Sequence, residues 1–505
     1  MFARQSETPV KRRPRMPPRL VAGRATSSQW FARDIGQLDR AVNDLRRRAP
    51  DYSAATPLPI WQQLSFFAGL AALTAGLILL EGSGLLHWGV TLAPPFLMIA
   101  LLRLAAVWHA LRRMPPSSDP TACDRRYDSR LPTYSVLLPL YRERRVVPGL
   151  VTAMRRLDYP IDRLEILFIT EADDHVTRQA LLSAGLPANM RIVTVPKGQP
   201  RTKPRALNYA LQDARGTLVA VFDAEDIPDQ NQLRRAAEAF VEGGPRLACV
   251  QARLVIYNAD ESFLSRQFAL EYSALFRGLL PALDDLKLPI PLGGTSNHFR
   301  RDLLLKSGGW DPFNVTEDAD LGIRLARFGY EVSVINSETM EEAPSSWRVW
   351  LGQRTRWIKG WIQTYLVHMR RPLRLWQDLG AWRFAGFQVT IGAMILSMLV
   401  HPWFYILVAL HVAGGWRFAP QNDLLGWVCG SNLAAGYGAA TLLMTATAGR
   451  SGVSRRLLSV VWLPVYWLAI SFAAYRAVID LVVRPFYWQK TTHGTSTQKS
   501  PLPRA

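Results

Sequence analysis

The 505-residue chain contains only three cysteines, Cys123, Cys249 and Cys429. Their wide separation matches no metal-ligand spacing and excludes a disulfide-rich scaffold, so we interpret them as buried apolar residues in a reducing compartment. The chain is also short of negative charge, with 40 Asp and Glu against 60 Lys and Arg, and a net charge of +20. This excess predicts anionic partners such as lipid headgroups or nucleotide phosphates.

Motifs of nucleic-acid binding are missing as well, because the sequence has no zinc finger, helix-turn-helix or aromatic ribonucleoprotein pattern. A cleavable signal peptide is not expected either, since the first apolar block starts only near Pro59. We assign residues 1–56 to a basic cytoplasmic tail that is disordered over 1–27. A short basic helix is predicted over 28–48, ending at three consecutive arginines.

What the chain does have is apolar sequence, with 49% hydrophobic residues and a mean hydropathy of +0.01. Blocks 60–80 and 86–108 are each long enough to cross a bilayer, and a turn at Glu81–Gly84 separates them. We therefore predict a transmembrane hairpin over 57–112. Basic residues flank both sides of it, so the positive-inside rule places the segment 113–380 in the cytoplasm.

A second membrane region is predicted over 381–483, with spans near 384–412, 424–446 and 457–476. Three spans would leave the short tail 484–505 outside, whereas Arg484 and Lys490 favour a cytoplasmic tail. A break at His401-Pro402 would restore the cytoplasmic side. The sequence leaves both arrangements open.

Segment 113–380 alternates short apolar runs, at 134–140, 164–169, 191–195 and 218–222, with helical stretches such as 203–214. This alternation predicts a parallel α/β sheet. Ligands of such sheets bind beyond the carboxyl ends of the strands, and charged clusters follow several of the runs.

One cluster is the acidic turn Asp223-Ala224-Glu225-Asp226, which directly follows a predicted strand. Carboxylates in one turn can hold a divalent metal, and the metal would neutralise a diphosphate leaving group. The alternative is a solvated acidic turn that caps a helix.

A second acidic turn contains Thr316, Glu317 and Asp318. A carboxylate there can deprotonate an acceptor hydroxyl. Alternatively, Thr316 caps the N-terminus of a helix and the acids occupy its first turn.

The segment Gln353-Arg354-Thr355-Arg356-Trp357 combines arginine forks, which suit phosphate oxygens, with a flat aromatic face, which suits a sugar ring. An amphipathic helix facing lipid headgroups is the alternative.

Five segments occur in order: 136–143, 203–208, 223–226, 316–318 and 353–357. In this order they resemble the family 2 membrane glycosyltransferases, which include the cellulose, chitin, hyaluronan and poly-N-acetylglucosamine synthases. The resemblance implies a cytoplasmic α/β domain of the GT-A (nucleotide-diphospho-sugar transferase) fold over 113–380, with interfacial helices at its end, plus an α-helical transmembrane domain.

The same resemblance implies the roles of individual residues. The nucleotide-sugar pocket would contain Pro139, Tyr141, Glu143, Lys203 and Asp223, with Glu171 or Asp173 at the base. Mg²⁺ or Mn²⁺ would be held by Asp223 and Glu225, Asp318 would be the general base, and Glu317 would belong to the same catalytic turn. The acceptor and the donor diphosphate would contact Gln353, Arg354, Arg356 and Trp357. The segment Gly293–Arg300 falls where relatives carry an acceptor-side loop, so Thr295 and His298 would contact the acceptor, and a structural turn is the alternative.

Three departures from the family pattern stand out. Glu225 replaces an aspartate, and Asp226 could substitute for it as a ligand. Residues 170–174 replace the usual Asp-Asp-Gly-Ser, and the segment that begins at Lys203 lacks the family glycine.

The sequence thus predicts an inner-membrane glycosyltransferase that uses a nucleotide-activated sugar, UDP-linked in our interpretation. The motif at 353–357 favours processive synthesis of a polysaccharide, with membrane lipids and an envelope subunit as further partners and no nucleic acid. Transfer of one sugar to a lipid, or a catalytically silent membrane subunit, are the alternatives. Residues 486–493 are either a gating segment over the site or a belt of interfacial aromatics.

Overall fold

The computed structural model describes residues 27–79, 81–112, 131–413, 424–448 and 454–487. The strands are β1 (Tyr134–Leu140), β2 (Leu164–Glu171), β3 (Met190–Val195), β4 (Leu218–Val221), β5 (Ile227–Pro228), β6 (Leu247–Ile256), β7 (Asn297–Arg300) and β8 (Glu331–Glu341). The α-helices are α1 (Ser27–Arg48), α2 (Ile60–Leu79), α3 (Glu81–Arg112), α4 (Val147–Arg155), α5 (His175–Ser183), α6 (Lys203–Leu211), α7 (Gln232–Glu242), α8 (Phe263–Ala274), α9 (Leu280–Asp285), α10 (Arg301–Lys306), α11 (Glu317–Arg327), α12 (Trp347–His368), α13 (Pro372–Phe387), α14 (Met394–Ala413), α15 (Leu424–Ala448) and α16 (Leu463–Val483).

The strands form one mixed sheet in the order β3-β2-β1-β4-β7-β6-β8-β5. Its first four strands are parallel, as the apolar runs predict. The parallel sheet predicted from these runs is confirmed for these four strands, but the sheet as a whole is mixed, because β7 runs antiparallel to both β4 and β6. The sequence of β7, Asn-His-Phe-Arg, contains no apolar run that would have revealed a strand.

Helices cover both faces of the sheet, so its central strands are apolar on both sides. Val136 and Leu138 of β1 belong to the core under α4, α5 and α7. Leu137 faces the opposite core, which includes α6 and α11. This double burial explains why β1 is an unbroken hydrophobic run in the sequence.

Helix α1 confirms the basic helix predicted near the N-terminus, but it is docked and not part of a free tail. Ala41 is buried in the core beside α6. The Gln37 side chain donates to the Tyr209 carbonyl at 3.1 Å, and Arg40 donates to Gln212 at 2.9 Å. The disorder predicted for residues 1–27 falls almost wholly outside the described residues.

The segment after α1 is fastened to the end of α12 by Arg370. Its guanidinium donates to the carbonyls of Pro50, Asp51 and Ser53 at 3.3, 3.0 and 2.8 Å. One buried cation thereby satisfies several carbonyls of an irregular segment, which would otherwise lose hydrogen bonds to water.

Among the residues described, three helical stretches are long and apolar enough to cross a membrane: 93–112, 372–403 and 458–483. Two details differ from the sequence predictions. Residues Glu81–Gly84 are the first turn of α3 and not a turn between spans. Helix α14 continues through Pro402, and the chain bends instead at Gly380, whose φ is 72°.

Two π-helical segments interrupt these helices. Leu275–Leu279 joins α8 to α9, and Gln388–Ala393 joins α13 to α14. π-Helical segments are rare in proteins, and those that occur are often found at functional sites.

The chain after α16 lies beside the α/β domain. Lys359 of α12 donates to the carbonyls of Arg484 and Tyr487 at 3.1 and 2.8 Å. The side of the membrane on which the tail 484–505 lies stays a prediction. Most of the segment 486–493 lies outside the described residues, which end at Tyr487.

We expect Arg370→Ala to lower the melting temperature of the full-length protein in detergent and to expose residues 49–57 to protease. The variant loses charge-assisted hydrogen bonds to three carbonyls, a destabilisation of about 2–4 kcal/mol. Arg371→Ala is the matched control, because Arg371 is 62% exposed and pairs with Asp51 at the surface. Equal melting temperatures for the two variants would contradict the role given to Arg370.

Candidate active site

A cavity of about 420 Å³ lies at the carboxyl ends of the parallel strands. Pro139 of β1, Glu171 of β2 and Asp223 after β4 form one wall, where ligands of α/β sheets bind. The predicted residues that line it are Pro139, Tyr141, Glu143, Glu171, Lys203, Asp223, Glu225, Glu317, Asp318, Gln353, Arg354, Arg356 and Trp357. The fold therefore brings the five sequence segments to one place.

Arg201 organises the end of the cavity near β1 and β2. Its guanidinium donates to the Tyr141 hydroxyl at 2.7 Å and lies 3.0 Å from the Asp173 carboxylate. Asp173 adjoins the cavity through this contact without lining it. The sequence-based prediction missed Arg201, although its position two residues before Lys203, at the N-terminus of α6, was an available indication.

Glu171 has a structural partner. Its carboxylate accepts a hydrogen bond from Arg205, and both side chains are buried. Burial raises the pKa of Glu171, and the positive charge of Arg205 opposes that rise. Glu171 and Asp173 are the two acids proposed to contact the nucleotide base. Glu171 is held in the cavity wall by Arg205, whereas the side chain of Asp173 is 30% exposed.

Lys203 links the acidic turn at Asp223 to the loop that contains Gly294. Its ammonium lies 2.7 Å from Asp223 Oδ1 and donates to the Gly294 carbonyl at 2.5 Å. Burial favours the neutral amine, but the carboxylates of Asp223, Asp318 and Glu317 outweigh it and raise the pKa of Lys203. Lys203 is therefore a permanent cation at the centre of the cavity.

Asp226 is buried under the acidic turn and accepts hydrogen bonds that hold the turn in place. It is 1% exposed, and its Oδ2 accepts from the Asp223 backbone N–H at 2.7 Å and from the Thr295 hydroxyl. Asp223 and Glu225 are the acidic residues of this turn that line the cavity. Asp226 is accordingly not placed to substitute for Glu225 as a ligand.

The donor set of this turn suits a hard divalent cation. Within the described ranges no group of three or more His, Cys, Asp or Glu is arranged to hold a metal by itself. Mg²⁺ is commonly held by one or two carboxylates together with substrate phosphates. Asp223 and Glu225 fit that arrangement.

Asp318 and Glu317 form the first turn of α11 and are 6% and 3% exposed. Burial and the Glu317 carboxylate raise the pKa of Asp318 well above its ordinary value, against the opposing effect of Lys203. Gly294 borders this carboxylate, since a Cβ placed on it would lie 3.8 Å from Asp318 Oδ2, an ordinary contact distance. Thr316 occupies the N-cap position and the acids lie in the first turn, as the alternative predicts, but Thr316 makes no side-chain capping hydrogen bond.

A buried network locks α11 to α12. Asp320, two residues after Asp318, lies 2.8 Å from Arg324 and 3.2 Å from His368 Nε2. Arg324 also donates to the Ser307 carbonyl at 2.8 Å. Since all three charged or polar side chains are fully buried, the network fixes the turn that carries Asp318.

Helix α12 turns its predicted motif inward. The Trp357 ring stacks at 26° on Tyr272, and the Arg356 Nη1 lies 3.5 Å from the Val315 carbonyl, just before the second acidic turn. Gln353 lines the same cavity. The alternative of a lipid-facing basic patch is therefore not supported.

Arg354 departs from its predicted role. Its guanidinium is held by both Glu271 carboxylate oxygens, at 2.7 and 2.6 Å, and by the Tyr466 hydroxyl at 3.0 Å. These contacts use its fork, so it ties α12 to α8 and α16 instead of binding a diphosphate. Glu271 was missed because it lies within a helical stretch that has no motif.

Thr295 and His298 are wrong as acceptor contacts, because both side chains are fully buried below the cavity. Thr295 donates to Asp226, as described above. The His298 ring lies 2.8 Å from the Tyr134 hydroxyl and 3.2 Å from Gln232 Oε1. Burial lowers the pKa of His298 to about 3, so it is a neutral core residue.

We expect His298→Leu to unfold at lower temperature while its affinity for a nucleotide sugar stays unchanged. The substitution leaves the buried polar groups of Tyr134 and Gln232 without their hydrogen-bond partner, which should lower the free energy of unfolding by about 2–4 kcal/mol. The exposed His175 provides the control, since His175→Leu should leave the melting temperature unaltered. Weaker donor or acceptor binding at unchanged stability would restore His298 to the site.

With the geometry known, comparison with other proteins identifies the domain. Residues 218–420 match the family model described as "Glycosyl transferase family group 2". The chain carries a family 2 glycosyltransferase domain. The resemblance predicted from the sequence is confirmed, as is an α/β sheet of the GT-A-like class, here of mixed strand direction.

The chain has curated relatives of several kinds. It is 29% identical over 234 residues to the probable glycosyltransferase YdaM of Bacillus subtilis, covering 46% of this chain and 55% of YdaM. It is 27% identical over 285 residues to the beta-monoglucosyldiacylglycerol synthase of Synechocystis, covering 54% and 58% of the two chains. It is 27% identical over 271 residues to the probable glucomannan 4-beta-mannosyltransferase 6 of Oryza sativa, covering 51% and 47%. The chain spans about half the length of the curated relatives it matches.

Proposed function

We propose that the protein transfers a sugar from a nucleotide-activated donor to an acceptor hydroxyl at a membrane surface, with inversion at the anomeric carbon. The observation that carries the proposal is the buried Asp318, which shares one cavity with Lys203 and the Asp223–Glu225 turn. A base and an anion-binding cation in a single cavity are the groups that such a displacement needs.

The donor end would be the part of the cavity near Tyr141 and Arg201. The aromatic ring of Tyr141, with the Arg201 guanidinium 5.3 Å from its centroid, offers a stacking surface for a base such as uracil. Lys203, Gln353 and Arg356 would then face the diphosphate. Asp223 and Glu225 would hold Mg²⁺ or Mn²⁺, which supplies charge neutralisation for a diphosphate leaving group.

The acceptor would enter from the side of α11. Asp318 would accept the proton of the attacking hydroxyl, and its raised pKa makes it a stronger base than an ordinary aspartate. The Asp320 network would hold the carboxylate in place, and Trp357 would supply an apolar face for a sugar ring.

The cellular setting is proposed from the distribution of charge and apolar sequence. Three apolar helical stretches and basic flanks favour a multi-pass protein of a bacterial-type inner membrane, with the α/β domain in the cytoplasm. The motif at 353–357 predicts processive synthesis of a polysaccharide. The apolar end of the cavity favours a second candidate, the transfer of one sugar to a lipid.

We expect Asp318→Asn to lower the turnover number by at least about a hundredfold, the usual contribution of a general base. Donor affinity should not weaken, because the change removes a negative charge near an anionic ligand. Transfer of labelled sugar and a donor titration on the same preparation measure the two effects. Asp302→Asn, at an exposed aspartate, is the control, and normal turnover by Asp318→Asn would remove Asp318 from the role of base.

On the acid side of the pH profile, kcat/KM should fall at a pH above 3.8, the ordinary pKa of aspartate. The reason is that Asp318 must be deprotonated to act as a base and its pKa is raised. Activity is then lost as the pH falls through this raised pKa. Glu317→Gln should move this fall in kcat/KM to lower pH, since the Glu317 charge contributes to the rise of the pKa. An unshifted pH profile in Glu317→Gln would argue that another group causes the fall.

A further inference from the structure

The N-terminus of α13 carries cations where a helix ordinarily carries anions. Arg371 occupies its N-cap position and Arg374 lies in its first turn, which contains no acidic residue. Because the aligned peptide dipoles give a helix N-terminus a partial positive charge, carboxylates or phosphates are stabilised there and guanidinium groups are not. An anion bound at this helix end would therefore lower its electrostatic free energy.

A shallow pocket opens at this helix end, and we call it the arginine pocket. Among the described residues, its lining contains Arg327, Arg370, Arg371 and Arg374, with Asp51 as the acidic residue. Its volume of about 10 Å³ gives room for one water-sized group, such as a single phosphate oxygen. A small anion at the mouth of the pocket thus fits both its charge and its size.

Neighbouring carboxylates compensate part of this positive charge. Arg327 lies 2.7 Å from Asp378, and Arg371 lies 3.1 Å from Asp51. Arg370, by contrast, donates to backbone carbonyls, and in the described part of the chain its buried Nε has no hydrogen-bond partner. Since neutral carbonyls leave the charge of a buried guanidinium uncompensated, a nearby anion would stabilise it.

Arg374 is the arginine of the pocket that is available to a ligand. It is exposed, and over the described ranges it forms no hydrogen bond or ion pair. The pair between Arg371 and Asp51 lies at the surface, with side chains 62% and 36% exposed, and such exposed pairs contribute little to stability. Arg371 can therefore turn to a phosphate, and the two planar forks offer several donors to its oxygens.

Exposed apolar side chains flank the arginine pocket. Leu373 and Trp376, in the first turns of α13, are 80% and 49% exposed. Gln62 of α2 donates to the Leu366 carbonyl at 3.0 Å, which places the start of the predicted transmembrane hairpin beside the end of α12. Helix α13 itself belongs to the stretch 372–403, which is long and apolar enough to cross a bilayer. The arginine pocket thus lies where the chain would enter a membrane.

We propose that the arginine pocket binds the phosphate of an anionic phospholipid at the membrane surface. Arg371 and Arg374 donate to the phosphate oxygens, and the acyl chains lie against Leu373 and Trp376. None of the described residues that line the arginine pocket also lines the catalytic cavity, so this lipid is a ligand and not a substrate. The inference goes beyond the proposed function and does not depend on sugar transfer.

The surroundings favour a phospholipid over a free phosphate ion. A free ion would satisfy the arginines but would leave Leu373 and Trp376 in water. A phospholipid brings a phosphate and apolar chains together, and tryptophan is enriched at the headgroup level of bilayers. An anionic leaflet also attracts basic residues that lie close to its surface. The arginine pocket and its apolar flanks match both parts of such a lipid.

Native mass spectrometry of the full-length protein, released from a neutral detergent, tests the proposal. The protein is incubated with phosphatidylglycerol or phosphatidylcholine, and the retained lipid molecules are counted over a series of lipid concentrations. We expect phosphatidylglycerol to be retained at lower concentration, because the choline ammonium of phosphatidylcholine cancels the charge of its phosphate.

Substitutions of Arg374 locate the binding. Arg374→Gln should weaken the retention of one phosphatidylglycerol molecule about fivefold, the usual contribution of one arginine near an anionic lipid surface. Arg374→Glu should weaken it further, and Arg374→Lys, which keeps the charge, should retain most of the affinity.

The matched control is Arg156→Gln. Arg156 is an exposed arginine at the end of α4, which packs on one face of the sheet, whereas α11 and the neighbouring α13 lie on the other. Its substitution should leave the retention of phosphatidylglycerol unchanged.

Competition separates a lipid from a soluble anion. Millimolar inorganic phosphate should not displace phosphatidylglycerol, and Trp376→Ala should weaken the retention of the lipid. Displacement by inorganic phosphate, together with unchanged retention in Trp376→Ala, would assign the pocket to a soluble anion and overturn the proposed lipid.

Equal retention of the two phospholipids by the wild type would also overturn the inference. So would equal retention of phosphatidylglycerol by the wild type and by folded Arg374→Glu. Melting temperatures measured without lipid show which variants are folded, and Arg371→Gln replaces Arg374→Glu if that variant does not fold. Since no nucleotide sugar is present, these outcomes do not depend on whether the proposed function is correct.

Discussion

The Lys203 ammonium is the charge on which the rest of the site depends. It lies 2.7 Å from Asp223 and lowers the electrostatic cost of burying Asp318 and Glu317 in the same cavity. Buried carboxylates without such a partner take up protons or draw in water. Because Lys203 is the first residue of α6, the start of this helix after β3 sets where the acidic segments can meet.

Around that charge, the positions of the reacting groups are fixed by side chains that pair with one another. Asp226 and Thr295 hold the acidic turn from below, and Asp320 with His368 joins α11 to α12. Arg354 and Glu271 tie α12 to α8. Each of these buried pairs costs free energy to form and fixes an orientation, as buried ionic groups do in some other proteins.

The sequence was most informative where one short segment supplies both a strand end and a polar group. The four apolar runs predicted the parallel half of the sheet, and the motifs at 203–208, 223–226 and 316–318 predicted residues that do meet. The antiparallel half escaped prediction because β7 has no apolar run and its His298 contacts a partner far away in the sequence, Gln232. The inward orientation of Thr295 and the pairing of Arg354 with Glu271 depend on contacts 69 and 83 residues apart, which a linear pattern does not encode.

Helix α12 is fastened to both ends of the described chain. Arg370, just beyond it, holds the segment at 50–53, while Lys359 and Gln363 hold the backbone of 484–487. The helix that presents Gln353, Arg356 and Trp357 therefore derives part of its support from sequence more than 300 residues away on one side and more than 100 on the other. A fragment limited to residues 131–380 would lack both supports, so the segments 50–53 and 484–487 are part of the architecture of the domain that contains α12.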